Sequence, residues 1–282
     1  MPELPEVETI RLQLEKYVLG SIIEKVEIRN KRYEIDTKNI LGQKIIGVRR
    51  FAKQLSIDLQ NKYSIMIHVK MTGQLIYQGS KLNNKELSRK VIGGLGGRHT
   101  HLVFHLSDGD LYYNDVRQFG WVKIVNSEEL KVNNFAPEPH VTKGSAGQAL
   151  TLEYFINLLS KSKRNIKVLL MDQTKIGGIG NIYANDSLWL SAISPRRTAN
   201  TLTLEEQKKL YNAIETVLKA GLKYGGASEL AFVTPDGKEG KYQDHTLVYG
   251  HQNELCKNCK KTTIEKFFLG GRGTYYCPIC QK

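Results

Sequence analysis

The chain has only four cysteines in 282 residues, and none before position 256. A disulfide-stapled secreted fold would spread its cysteines, so this clustering argues against bridges and for a metal site near the C-terminus. No uncharged apolar stretch approaches the roughly 20 residues needed to cross a bilayer, and no membrane association is expected. The first ten residues hold Glu3, Glu6 and Glu8 but no base, the reverse of a secretory n-region, so the expected compartment is a reducing cytoplasm. Internal repeats and low-complexity tracts are also missing. The 40% hydrophobic and 24% charged fractions are those of a folded globular protein, which excludes disorder across the whole chain. This length accommodates one large domain or two to three small ones.

Acidic residues are the other shortage. Against 41 Lys+Arg stand 28 Asp+Glu, a net charge of +13 with histidines neutral. Nucleic acid is the leading partner for such a chain, because neutralising phosphates releases condensed counterions before any specific contact forms. A merely soluble basic protein remains open on charge alone. Acidic membrane surfaces rank third, since no strongly basic amphipathic helix lies beside an apolar face.

The first 125 or so residues read as a helix followed by many short strands. Pro5 suits a helix start, having no N–H to leave unpaired. Val7, Ile10, Leu14 and Val18 then recur at helical spacing. Strand signals follow at 23–28, 44–51, 55–59, 63–69, 101–106 and 121–125, with turn chemistry at Ser107-Asp108-Gly109-Asp110, so a sandwich or flattened barrel is expected. The prolines and small residues over 133–149 read as a linker. Beyond it the period becomes helical, around 152–159, 166–172, 181–190 and 204–224. A loop of some 25 residues after Tyr224 is long enough to be functional or mobile.

Three features carry chemistry. Cys256-x2-Cys259-x17-Cys277-x2-Cys280 places two thiolates on each of two tight turns, a closed tetrahedral set suited to one structural zinc ion with no open position for catalysis. Between the pairs the sequence reads as a hairpin turning at Gly270-Gly271, with Arg272 at its tip. That arginine either meets a phosphate or is simply solvated. Second, Gly178-Ile179-Gly180-Asn181 opens a helix just downstream of Lys161, Lys163, Arg164 and Lys167. Glycines and free helical N–H groups favour phosphate there, with Asn181 as the expected N-cap. The segment before it reads as helix, so it is not a dinucleotide fingerprint and no nucleotide cofactor is implied. Third, removal of Met1 would leave Pro2 as a free secondary amine. An α-amino group titrates near 7.7–8.0, about 2.5 units below lysine, and amines can attack a sugar's anomeric carbon to form an iminium. Glu3 stands next to it, and Glu6 lies one helical turn on. These acids equally suit the helix dipole, and that reading stays open.

The opening Met1-Pro-Glu-Leu-Pro-Glu-Val-Glu-Thr9 resembles the formamidopyrimidine-DNA glycosylases (Fpg, also called MutM). The likeness continues in order through Arg50-Phe-Ala-Lys53, His68-Val-Lys-Met-Thr-Gly73, Arg98-His-Thr-His101, Asp115-Val-Arg-Gln-Phe-Gly120, Ile166-Lys167, Gly180-Asn-Ile-Tyr-Ala184 and Gly271-Arg-Gly-Thr274. It implies an α+β multidomain fold: an N-terminal β-sandwich with a leading helix (1–132), the linker (133–149), a helix-two-turn-helix domain carrying a lesion-recognition loop (150–252, loop about 225–248), and a zinc-finger β-hairpin (253–282).

The implied activity is base-excision repair: removal of 8-oxoguanine and formamidopyrimidines from damaged duplex DNA, then β,δ-elimination at the abasic site. The expected protein is a bacterial monomer, associated with the nucleoid through DNA. At matched positions Pro2 would be the Schiff-base nucleophile and Glu3 the proton donor or acceptor. Lys53 would assist β-elimination from its strand position, and Arg272 would take part in δ-elimination while gripping phosphate. Lys163, Lys167, Asn181, His99 and Arg117 would contact DNA. Met71, Arg117 and Phe119 would fill the gap left by the flipped nucleotide, since an enzyme acting on a base within a duplex must extrude it. Without the family, Met71 and Phe119 read as core, and His99 with His101 as a metal pair.

Val116 and Gln118 depart from the proline and second arginine of many relatives, which implies a weaker phosphate contact. The glycine-rich segment 79–97 reads as a longer hairpin loop. Two rival readings are an endonuclease VIII-like enzyme for oxidised pyrimidines and a non-catalytic zinc-finger DNA-binding protein. Leu4 argues against the first, which tends to carry glycine there; intact Pro2, Glu3 and Lys53 argue against the second.

Overall fold

The structure, a computed structural model, describes residues 1–82, 86–130, 134–139, 142 and 145–282. Residues 133, 140, 141, 143 and 144 of the expected linker, and 83–85 of the 79–97 loop, lie outside the described residues. The chain forms two compact units. One holds residues 1–134, Ser145, Ala146 and 221–243; the other holds 135–139, 147–220 and 244–282.

In the first unit, α1 (Leu4–Val18) precedes eight strands: β1 (Ile23–Ile28), β2 (Ile45–Phe51), β3 (Gln54–Leu59), β4 (Tyr63–His68), β5 (Gly73–Gly79), β6 (Thr100–Leu106), β7 (Gly109–Asp115) and β8 (Trp121–Asn126). They pair antiparallel in two four-stranded sheets, ordered β1-β6-β7-β5 and β2-β3-β4-β8. Val7, Ile10, Leu14 and Val18 of α1 are buried in one core with Val48, Leu55, Ile67, Leu75 and Phe104, so the helical stripe and the strand alternation bury the same surface. β5 has no counterpart among the sequence expectations. Its glycine ends read as turn, while the inner residues from Gln74 to Tyr77 are buried.

The long segment after Tyr224 is packed rather than loose. Ala231, Phe232 and Val233 are buried, Phe232 within the sandwich core. The described part of the 79–97 loop lies against it: Ser88 N donates to Gly237 O, and Lys90 pairs with Glu239 at 2.6 Å. Gly226 is obligatory here. Its φ is +83°, and a Cβ would come within 2.7 Å of Glu6 Cγ.

Beneath α1 lies a buried charge network. Glu8 and Arg50 are both fully buried and meet at 2.7 Å; Arg11 reaches the other Glu8 oxygen at 2.9 Å. Arg50 also donates to Ala52 O at 2.9 Å and to the Ser145 hydroxyl, so its planar fork fixes the turn that follows β2.

The second unit contains α2 (Leu152–Lys161), α3 (Ile166–Leu170), α4 (Asn181–Leu190), α5 (Leu204–Lys223, whose last three residues belong to the first unit) and a hairpin of β9 (Glu265–Leu269) and β10 (Arg272–Tyr276). Thr151 and Asn165 cap α2 and α3, accepting N–H groups at 3.1 Å and 3.0 Å. The α3–α4 connection is stapled by Gln173, which donates to Ile179 O at 2.6 Å and accepts from Gly178 N at 3.0 Å. Gly180, not Asn181, caps α4; Asn181 is the first helical residue, because the extended backbone ends one residue earlier than its side-chain chemistry suggests. Among the described residues no helix is long and apolar enough to cross a membrane.

Replacing Arg50 with alanine strips the fully buried Glu8 of its cation at Oε2 and leaves it only Arg11 at Oε1. Arg50→Ala is expected to cost about 3–5 kcal/mol, and an apolar Glu8→Leu/Arg50→Met double variant to recover much of it. Urea unfolding at pH 7 measures both; a single-variant loss below about 1 kcal/mol would mean the pair is worth no more than a surface ion pair.

Candidate active site and nucleic-acid interface

The first residues of the first unit are firmly held. Pro2 is buried, and Glu3 is the N-cap of α1 with 3% of its surface exposed. Glu3 and Glu6 form a capping box in which the Glu3 N–H donates to Glu6 Oε2 at 2.7 Å. The other Glu6 oxygen accepts the Ala227 N–H at 2.7 Å. One carboxylate thus ties the Pro2–Glu3 segment to the 221–243 segment. Glu6 does more than neutralise a helix dipole, and its spacing of three from Glu3 was the available signal.

Lys53 is 4% exposed and lies in the two-residue β2–β3 turn, not on a strand. The reason is Ala52, whose φ of +51° breaks the strand and whose carbonyl is held by Arg50. His68, at the end of β4, is pushed down to about 3 by burial first, then by the charges of Lys70 and Lys53. Its Nδ1 accepts the Lys70 N–H at 3.1 Å.

Met71, Arg117 and Phe119 come together at the tips of two adjacent loops of this unit. The Arg117 guanidinium donates to Met71 Sδ at 3.2 Å and lies 4.7 Å from the Phe119 ring centroid. Phe119 is 50% exposed, so it is not core. The backbone of His99 accepts the Asp115 N–H, and its ring, half-buried and next to Arg98, titrates below its usual range. His101 is no metal partner: its Nε2 donates to Asp115 O at 2.7 Å and its Nδ1 faces Asn30 at 3.3 Å. Gln118 adopts φ +55° with its side-chain oxygen accepting from Asn30.

In the second unit the hairpin tip is built for close approach. Gly270 and Gly271 both have positive φ, a two-residue turn matching the strand twist, and exposed Arg272 opens β10 immediately after it. Lys167, expected on the surface, is 1% exposed. Its ammonium donates to Gly273 O at 3.0 Å and Thr274 Oγ1 at 2.7 Å, so α3 grips the strand that carries Arg272. From α4, Asn185 accepts the Tyr275 N–H at 2.8 Å, and Asp186 accepts the N–H groups of Leu247, Val248 and Tyr249 at 3.0 Å each. Lys163 remains exposed. Arg164 is occupied with Asp172 and holds that carboxyl down to about 2.

All four cysteine sulfurs lie within 4.8 Å of one another, with Cys256–Cys280 at 3.8 Å and Cys259–Cys277 at 3.7 Å. A tetrahedron with zinc–sulfur arms of about 2.3 Å has edges of about 3.8 Å, so the donor set and its size fit zinc. Burial would raise the Cys256 thiol, but the N–H groups of Cys259 and Asn258 together with the Cys277 and Cys280 side chains bring it down to about 7.

Residues 1–122 match the model of the formamidopyrimidine-DNA glycosylase N-terminal domain, and residues 135–232 match that of the formamidopyrimidine-DNA glycosylase H2TH domain. The chain belongs to the formamidopyrimidine-DNA glycosylase family. It is 36% identical over 288 residues to the formamidopyrimidine-DNA glycosylase of Carboxydothermus hydrogenoformans, covering 100% of both chains. To that of Pediococcus pentosaceus it is 38% identical, covering 100% of this chain and 99% of the relative. Among solved structures it is similar to Lactococcus lactis Fpg (MutM) in complex with an oxidized pyrimidine-containing DNA, at TM-score 0.83, 31% identity and full coverage of both chains. It is equally similar to the same enzyme with abasic-site DNA, at TM-score 0.83, 31% identity and 99% coverage of each. The expected fold class, sandwich with leading helix, helical H2TH domain and four-cysteine hairpin, is the observed one.

His68 binds a proton more weakly folded than unfolded, so its contribution to stability is present above pH 6.5 and is lost as pH falls towards 3. Stability should therefore fall by at most about 1.4 kcal/mol per pH unit in that window through this residue, and His68→Gln should flatten the fall. Urea titrations at pH 7, 5.5 and 4 test it; an unchanged slope in the variant would mean His68 protonates freely.

Proposed function

We propose that this member of the family is a DNA glycosylase with a second, AP-lyase activity, removing oxidised purines from duplex DNA and then nicking the strand. The observation that carries this reading is the Pro2–Glu3 pair, buried at the N-terminus of α1 with its backbone held by Glu6. In the chain processed to Pro2, the neutral imino nitrogen attacks C1′ of the damaged nucleotide. The N-glycosidic bond breaks and its electron pair leaves with the base, which takes up a proton. The Pro2 nitrogen then gives up its own proton, the C1′–O4′ bond opens with protonation of O4′, and the open-chain sugar becomes an iminium on Pro2. Glu3 moves protons at the sugar. Loss of the C2′ proton then expels the 3′ oxygen, assisted by Lys53, and a second elimination with Arg272 at the phosphate releases the 5′ side.

The first unit supplies this chemistry and the Met71, Arg117 and Phe119 wedge. In the second, Lys163 and the amide of Asn181 at the start of α4 contact phosphate, while His99 and Arg117 contact DNA from the first. Lys167 acts through the hairpin it grips rather than by its own charge. Zinc held by Cys256, Cys259, Cys277 and Cys280 stabilises the hairpin and has no open position for chemistry. The segment near 225–248 senses the lesion. The enzyme works as a monomer on the bacterial nucleoid in the cytoplasm.

Pro2→Gly should keep damaged-DNA affinity within about threefold yet lose about 100-fold or more in single-turnover excision, the scale expected when a nucleophile is removed. The test uses duplexes with 8-oxoguanine opposite cytosine and with thymine glycol. Normal turnover by the variant contradicts the nucleophile assignment, and a wild-type preference for thymine glycol contradicts the purine assignment.

A further inference from the structure

We infer that Asp115 and Thr72 are positioning residues that lock Met71, Arg117 and Phe119 into one rigid wedge, an inference that rests on the wedge reading above. Two loops carry the three side chains. Met71 lies in the turn between β4 and β5, while Arg117 and Phe119 lie between β7 and β8. The strand pairs that flank the two loops end at Gly73–Asp115 and His68–Trp121, short of all three side chains, and beyond them both loops are tied to one buried carboxylate.

Asp115, the last residue of β7, is fully buried. Its Oδ1 accepts the Thr72 hydroxyl at 2.5 Å, and its Oδ2 accepts the Gly120 N–H at 2.8 Å and the Tyr33 hydroxyl at 2.9 Å. The Thr72 oxygen in turn accepts the Arg117 N–H at 2.9 Å. A single hydroxyl therefore donates to the carboxylate and receives from the loop that carries Arg117, joining the residue after Met71 to the residue two before Phe119. Gly120 closes the far end of that loop against the same carboxylate. A Cβ there would stand 2.0 Å from the Tyr113 hydroxyl and 3.0 Å from Asp115 Oδ2, so no side chain is tolerated.

The back of the knot is equally fixed. The Tyr33 ring stacks on His101 at 4.8 Å and 12°, and His101 donates to the Asp115 carbonyl. Burial and then the Asp115 charge raise the Tyr33 hydroxyl well above its usual range, so it remains a donor. Asn30 bridges His101 and Gln118. Hydrogen bonds to a buried carboxylate are short and strong, which suits a part that must not yield. Opening a base step costs a few kcal/mol. A wedge whose two loops could slide apart would relax instead of holding the step open.

The knot matters only where a stack must be opened, and that separates it from a general structural role. Thr72→Val keeps the shape but removes the donor to Asp115 and the acceptor for Arg117; Thr72→Ser restores both. For Thr72→Val, single-turnover excision of 8-oxoguanine from duplex should fall about tenfold, the scale of losing two hydrogen bonds that are only partly screened from solvent. Cleavage at a preformed abasic site in single-stranded DNA should change by less than about twofold, with no stack to open, and Thr72→Ser should recover duplex excision. Phe119→Ala is the control for the wedge itself. A selective duplex loss in Phe119→Ala but none in Thr72→Val overturns the positioning role alone. No selective loss in Phe119→Ala overturns the wedge reading and this inference with it. Equal losses on both substrates in Thr72→Val also overturn the inference, reducing the knot to a fold-stabilising contact.

Discussion

The covalent chemistry proposed for Pro2 requires a segment that does not move, whereas the ends of a chain ordinarily fray first. The constraint that resolves this conflict is the Glu6 carboxylate. One of its oxygens holds the Glu3 N–H and the other the Ala227 N–H, both at 2.7 Å, while the apolar face of α1 is sunk in the sandwich core. A proline nitrogen beside such a fixed residue has little freedom to lose when it meets a sugar, so its moderate basicity becomes usable nucleophilicity. The Glu8–Arg50 pair extends the same arrangement downward, from α1 to the turn that carries Lys53. Buried carboxylates thus set the positions of the groups proposed to act, rather than acting themselves.

The second unit repeats the device with a cation. Lys167 is buried against β10, Asn185 holds Tyr275, and Asp186 gathers three successive N–H groups ahead of the cysteine cluster. A small hairpin with almost no apolar core of its own is fastened to α3 and α4 by polar contacts, and zinc would close its base. Arg272 is left exposed at the end of this support, next to a glycine turn that keeps the backbone slim.

Much of this was legible in the sequence because it is written in local patterns. The i, i+3, i+4 stripe of α1 and the two Cys-x2-Cys turns follow from spacing alone, and the structure has them at the expected residues. β4 is a strand where expected, but its alternation suggested a half-buried strand and both of its faces are buried. What was not legible depends on tertiary context. Lys167 reads as one more surface base beside Lys163, because nothing local reveals that Gly273 and Thr274 will receive its ammonium. β5 is hidden by its terminal glycines. Ala231-Phe232-Val233, inside a glycine-rich loop, gives no sign that it will complete the core of a sandwich more than a hundred residues upstream. Asp115 and Thr72 stand within motifs whose arginine and methionine draw the eye, and their link appears only when two distant loops meet.

The central claim is that Pro2 bonds covalently to deoxyribose. Reducing a reaction mixture of enzyme and lesion duplex with borohydride, then sequencing the adducted peptide by mass spectrometry, tests it most directly. The account predicts one protein–DNA species, with the added mass on the N-terminal peptide at Pro2. An adduct at a lysine, or efficient strand cutting with no adduct at all, would contradict it.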